Sequence, residues 1–487
     1  MSSGAPTELV ALVCCDLGAI VRGRALLATE LDAHLAAGVG WVPANHSLTP
    51  LGPLAEPNPF GSVGDLRLLP DPRTRARVQG DSATGAGPLD IVLCDIVHTD
   101  GSPWECCPRR WLIDAVDELE REHGLRAVVS FEHELQLLDA GGPSVSSRLA
   151  ASSAAAPVRD RAGARGAHAN GPGVLRGESG AATAMAHVPL PFSLEALRTA
   201  EPFPADAMGA LIEAGVEPER IFAEYAPSQF EIPVGPTEGV AAADRSVVLI
   251  QVVREIARRR GLRATFTPLL DPAQAGNGVH IHLTLLDSHG EPVLYDADRP
   301  GALSALGERF AAGILLHAPA LIALTAPSPV SAARLAPHHW SAGAVCLGQR
   351  NRETLLRLPP LVSLSDVPRE RQLHLEYRAA DATANPYMAL GALLRAGMDG
   401  LRAGLPAPPI LDRDPAELDP VEAERYGVGA LPSSQDEALR ALAGDPIVRG
   451  WMTTLMYDAY TGVRRAELEA TAGWDIERLT GRYAEIY

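Results

Sequence analysis

The stretch Val128-Val129-Ser130-Phe131-Glu132-His133-Glu134-Leu135-Gln136-Leu137 holds the densest chemistry in the chain. Read as a strand, it puts Ser130, Glu132, Glu134 and Gln136 on one face and Val129, Phe131, Leu135 and Leu137 on the other. Two carboxylates two residues apart on one face repel each other unless a positive charge sits between them. A hard divalent cation is the usual remedy, because it prefers carboxylate oxygens. Alone, the stretch reads as a half-exposed strand with a solvated acidic face, so partners on other strands decide the matter.

Three further stretches supply them. In Ala223 to Ile232, Glu224 and Glu231 have opposite parity, and Pro227-Ser228 offers a bulge or turn that brings both to one face. Gly276 to Leu285 reads as a strand with His280, His282 and Thr284 on one side and an apolar back. His374-Leu375-Glu376-Tyr377-Arg378 repeats the arrangement. Five carboxylates and an imidazole on facing strands make two cation sites of the Mg²⁺ or Mn²⁺ type. Two cations beside Arg334, Arg350, Arg352, Arg357 and Arg378 suit phosphoryl transfer, which needs positioning and charge neutralisation. With neither a P-loop nor a kinase glycine loop in the sequence, a nucleotide is expected on the metals and this strand face.

The elements that must position these residues fall into two groups. With 487 residues, one large domain and a smaller one are expected, residues 1–105 and 106–487. In the first, Glu8 to Cys15 and Val21 to Leu26 read as paired strands, Ala25 to Ala37 has helical spacing, and Gly64 to Asp71 is a strand closed by a Pro-Asp turn. In the second, a helix over 111–123 ends at Gly124. Residues 141–187, rich in Ala, Ser, Gly and Arg, read as a flexible surface insertion. A long helix is expected from Thr237, as N-cap, to Arg260. Hydrophobic residues make up 46% and charged residues 21%, and the formal charge of -18 disfavours nucleic acid or an anionic membrane as the main partner. The six cysteines include the neighbours Cys14-Cys15 and Cys106-Cys107 and show no CxxC spacing, so reduced thiols in a cytoplasmic protein are expected. No signal peptide is expected, and the apolar run near Ala311 to Leu324, broken at His317 and Pro319, is too short to span a membrane.

The series FEHEL, EYAPSQFEI, GNGVHIHLTL, NRETLLR and HLEYRAADATANPY resembles the glutamine synthetase superfamily in order and spacing, from about residue 8 to the end. The likeness is greatest to its γ-glutamyl-amide and γ-glutamylpolyamine synthetase branch. The resemblance implies an α+β protein: an N-terminal β-grasp domain, then a catalytic domain on a curved antiparallel sheet flanked by helices. It also implies a homo-oligomer of stacked hexameric rings with active sites between subunits. One Mg²⁺ or Mn²⁺ would be held by Glu134, Glu224 and Glu231, and a second by Glu132, His280 and Glu376. ATP contacts would fall on Glu219, His282, Thr284 and Arg357, with Arg352 on the transferred phosphoryl group. Arg334 and Arg378 would hold the acid's carboxylate, with Gly276 in backbone contact, and Asp65 would reach into the neighbour's site. The implied chemistry is phosphorylation of glutamate's γ-carboxylate by ATP, then displacement of phosphate by an amine.

The departures bear on the amine. At the flap position where ammonia-using members carry a glutamate, this chain has Trp340, and no aspartate upstream of Asp65 fills their second ammonium-site carboxylate. An ammonium ion needs acceptors, which an indole lacks, whereas an indole face suits an organic amine. The expected nucleophile is therefore an amine larger than ammonia. Ala275, and His374 in place of an arginine near the nucleotide, also depart from the family pattern.

Overall fold

A 14-residue strand, β7 (Arg126–Asp139), runs through the middle of the larger of two sheets. This computed structural model describes residues 7–140, 190–336, 341–364 and 366–487, so the expected insertion at 141–187 and Trp340 lie outside the described residues. Along β7 the side chains alternate as the sequence requires. Ala127, Val129, Phe131, His133, Leu135 and Leu137 are buried, whereas Val128, Ser130, Glu132 and Glu134 are half-buried. Period-2 alternation of this kind places one face on a core and leaves the other for chemistry.

The strands around β7 are β8 (Phe222–Ala223), β9 (Gln229–Pro233), β10 (Thr237–Glu238), β11 (Leu262–Thr265), β12 (Val279–Leu286), β13 (Ala344–Gln349), β14 (Thr354–Leu358), β15 (Leu375–Tyr377) and β16 (Ile410–Leu411). The ten-stranded sheet runs β16-β13-β14-β15-β12-β7-β9-β8, with β10 and β11 also on β7. From β14 to β8 every pairing is antiparallel; β13 alone pairs parallel, with β14 and with β16. One local expectation is corrected and one is narrowed. Thr237 does not cap a helix: as part of β10 it pairs with Val129, and the helix Gly239–Arg259 begins after Glu238. Of the bulge or turn expected at Pro227-Ser228, the chain takes the turn, which joins β8 and β9 with Ser228 at φ +55°.

The N-terminal α+β unit is a six-stranded sheet of β1 (Leu9–Cys15), β2 (Val21–Leu27), β3 (Val39–Trp41), β4 (Leu66–Pro70), β5 (Ala76–Val78) and β6 (Leu89–His98). Its order is β2-β1-β6-β4-β3, with β5 on β6 and β1 parallel to β6. The helix expected over 25–37 shrinks to short turns at 28–30 and 31–34, because pairing with β1 keeps the chain extended through Leu27.

Two buried features join this unit to the large sheet. The helix Pro386–Ala403 is capped by Asn385, whose Nδ2 also donates to the carbonyls of Cys15 and Asp16 at 3.2 and 2.9 Å. Arg109, on the helix Pro108–His123, donates to Asp71 and Asp95 of the N-terminal unit at 3.1 and 2.9 Å and to Asp244 at 2.9 Å. Among the described residues no single helix is long and apolar enough to cross a membrane; the apolar run expected to break at His317 does so, with a bend of 74°.

Candidate active site

Antiparallel register stacks the polar faces of six strands into cross-strand rows. One row reads Arg357, Glu376, His282, Ser130; a second reads His280, Glu132, Pro233; a third reads Glu134, Glu231, Phe222. These rows floor a cavity of about 550 Å³ that Arg352, Arg378, Glu224 and His374 also line. All six expected metal ligands are thus brought to one place, together with three of the expected arginines.

The six fall into two differently charged groups. Nδ1 of His280 lies 2.8 Å from Oε1 of Glu132, and Nε2 of His282 is 3.5 Å from Oε2 of the same residue, too long for a good hydrogen bond. Burial works to raise the Glu132 carboxyl, but the two imidazoles outweigh it and hold the group well below the carboxylate range. Glu376, buried, accepts from Nη1 of Arg357 at 2.6 Å and from Arg378. Burial again opposes ionisation, and Arg378 with its neighbours reverses it, bringing Glu376 to about 2.

The other group has no such partners. Glu224 and Glu231 are hydrogen-bonded to each other, and Glu134 accepts only from the Gly278 amide, at 2.7 Å, among the bonds described. Burial first, and then the neighbouring carboxylates, push Glu224 up to about 7 and Glu231 further still. Carboxyls driven to share a proton are the state expected where a cation belongs, and three oxygen-donor side chains suit Mg²⁺ or Mn²⁺. Among the described residues no three His, Cys, Asp or Glu side chains stand gathered to grip an ion. Holding one requires these rotamers to let go of one another.

A second cavity of about 390 Å³ shares Glu132, His282 and His374 with the first and is also lined by Glu219, Thr284, Pro236 and Arg371. Three of the four expected nucleotide contacts, Glu219, His282 and Thr284, therefore share it, and Arg357 lies across His282 in the first cavity. Burial lowers His374 to about 4, so it faces His282, ring centroids 5.1 Å apart, as a neutral ring.

Arg334 and Gly276 sit behind this floor. Arg334 is 2% exposed, its Nη2 donates to the carbonyls of Ala379 and Ala380, and its buried Nε finds no acceptor among the described residues. It fits only because glycine stands at 276 and 278: a Cβ there would lie 2.8 Å from its Cγ and 2.9 Å from its Nη1. Asp65 is exposed just before β4, in the other sheet, and lines neither cavity, and Arg350 stays outside as well. Trp340 lies outside the described residues.

Sequence reasoning missed two sets of residues here. Gln229 donates to the Gly276 carbonyl and to Asn277 Oδ1 at 2.8 and 3.0 Å, and Asn277 donates to the Thr267 carbonyl at 2.8 Å, so a buried amide chain locks the Glu224–Glu231 hairpin to the glycine loop. Phe192, Phe222, Tyr225 and Arg220 line the first cavity. Phe222 was recoverable from parity with Glu224, but Phe192 is 30 residues away and arrives only through the fold.

Comparison with known proteins agrees with this geometry. Residues 105–477 match the glutamine synthetase catalytic domain, and residues 2–104 match the glutamine synthetase N-terminal domain. A gamma-glutamylpolyamine synthetase of Streptomyces coelicolor is 32% identical over 98% of this chain and 93% of its own. A glutamine synthetase of Methanocaldococcus jannaschii is 28% identical over 80% of this chain and 77% of its own. A solved structure described as a novel glutamine synthase homolog superposes with a TM-score of 0.83 at 40% identity, over 100% of both chains.

Proposed function

The chain belongs to the glutamine synthetase family of ATP-dependent ligases, and from that premise we propose that it joins the γ-carboxylate of glutamate to an organic amine larger than ammonia. The observation that carries the ligase chemistry is the convergence of Glu132, Glu134, Glu224, Glu231, His280 and Glu376 with Arg352, Arg357 and Arg378 on one cavity. Full-length likeness to a gamma-glutamylpolyamine synthetase supports the choice of amine. So does Trp340, which supplies no acceptor for ammonium.

In the proposed reaction a γ-carboxylate oxygen attacks the terminal phosphorus of ATP and ADP leaves. The amine nitrogen then attacks the acyl carbon, the carbon–oxygen bond to phosphate breaks, and the nitrogen gives up its proton. Glu134, Glu224 and Glu231 would hold one divalent cation, and Glu132, His280 and Glu376 a second; such ions supply neutralisation of phosphate charge. Glu219, His282, Thr284 and Arg357 would hold the nucleotide, and Arg352 would meet the phosphoryl group in flight. Arg378 and Arg334 would hold the acid, Arg334 once its carbonyl partners yield. Asp65, exposed and absent from the lining of both cavities, supports a ring assembly in which a neighbour completes the site; a monomeric native mass would refute it.

A second reading, ordinary glutamine synthetase, is favoured by relatives such as the Methanocaldococcus enzyme. Phosphate release with ATP, Mg²⁺, glutamate and a panel of amines separates the two. An organic amine with higher kcat/KM than ammonium is expected; ammonium equal to the best amine would leave the second reading standing. Absence of release with every amine, alongside intact rings, would mark a silent relative, a role in which buried repelling carboxylates serve nothing.

A further inference from the structure

The wall of the cavity nearest Glu224 and Glu231 is aromatic. Phe222 stands opposite Glu231 on β8 and β9, and therefore shares the face that carries Glu231 and Glu134. Phe192 stacks on Phe222, centroids 6.2 Å apart at 28°, and meets Tyr225 edge-on at 5.0 Å and 89°. Glu224 lies between Phe222 and Tyr225 in the chain, and its Oε2 accepts from the Tyr225 amide at 3.2 Å.

These rings are not core. Phe192 is 52% exposed and Tyr225 38%, and all three line the same cavity as Glu132, Glu134, Glu224 and Glu231. Phe192 also has φ +56°, a left-handed backbone that a bulky side chain rarely adopts. Strain of that kind persists where the surroundings fix a residue for use. Apolar ring faces beside this polar floor suit a hydrocarbon chain that ends in an amine.

We infer that Phe192, Phe222 and Tyr225 form the subsite for the carbon chain of an aliphatic amine and set the preference for it over ammonia. The inference rests on the organic-amine reading above. An ammonium ion has no carbon surface to lay against the rings. For an alkyl chain, each methylene buried there is worth roughly a fourfold gain in affinity, so chain length becomes the measure of the wall.

The test is the KM of a series of primary n-alkylamines from one to four carbons, with ATP and glutamate saturating. In the wild type KM is expected to fall about threefold to fourfold per added methylene. Phe192→Ala and Phe222→Ala should flatten that slope, while Tyr225→Phe, which keeps the ring, preserves it. KM for ATP should move less than twofold, and circular dichroism should confirm that each variant is folded. A slope kept in both alanine variants overturns the wall alone and leaves the organic-amine reading intact. A parallel rise in the ATP KM also overturns it, because the rings would then be seating adenine. Turnover with ammonium and with no alkylamine overturns the organic-amine reading, and the wall falls with it.

Discussion

At the junction between the N-terminal unit and the large sheet, Asp71, Asp95 and Asp244 surround Arg109. In the cleft, Glu134, Glu224 and Glu231 face one another with no guanidinium bonded to any of them among the described residues. The consequences are opposite. At the junction Arg73, with Arg109, holds Asp71 down at about 2, whereas in the cleft burial and mutual repulsion lift Glu224 to about 7. Three carboxylates with a cation built in form a joint between domains. Three without one form a receptor, and what they receive must be positive. Both clusters cost desolvation, but only the joint offsets it from within the chain.

That contrast can be broken in three ways. The largest effect is expected at the receptor: Glu134→Ala, and likewise Glu132→Ala, should cut turnover by about 10³-fold, the scale of a lost electrostatic stabiliser. The thermal midpoint of the metal-free protein should not fall in Glu134→Ala, whereas Glu132→Ala also removes the partner of His280. Near-normal phosphate release from either would show that these groups hold no cation.

At the joint the order reverses. Arg109→Met strands the buried Asp244 beside the half-buried Asp71 and Asp95 and should destabilise the protein by about 3 kcal/mol in urea denaturation. If Arg109→Met unfolds no more easily than wild type, the junction is not held by this charge.

The smallest effect is on pH dependence, and its sign differs between clusters. Asp71, depressed from 3.8 to about 2, contributes stability above pH 3.8 that is lost as pH falls through about 2. Glu224, raised from 4.5 to about 7, binds more protons folded than unfolded, so metal-free stability should decline as pH rises from about 4.5 to 7. Saturating Mg²⁺ should remove that decline, adding about 2.7 kcal/mol at a hundred times its Kd. A decline of equal size with and without Mg²⁺ in thermal melts would contradict the receptor picture.

Alternation along a strand is local: the pleat alone sends Glu132 and Glu134 one way and Phe131 and Leu135 the other, so those faces, and those of His280, His282 and Glu376, were legible residue by residue. Thr237 misled because a good N-cap residue is equally at ease in the two-residue strand it forms on Val129. Ala25 to Ala37 misled because helical spacing there yields to pairing with Leu9 to Cys15.

The sequence by itself determined the residue types, the period that sorts them onto faces, and the family likeness that five motifs carry. It also determined the apolar backs that bury each strand. Only the tertiary structure decided register: that Glu231 lies across from both Glu134 and Phe222, that Ser228 turns a hairpin, and that Arg334 hides behind two glycines. Register and long-range packing are settled between strands far apart in the chain. No local rule fixes which carboxylates will meet a guanidinium and which are left to wait for a metal.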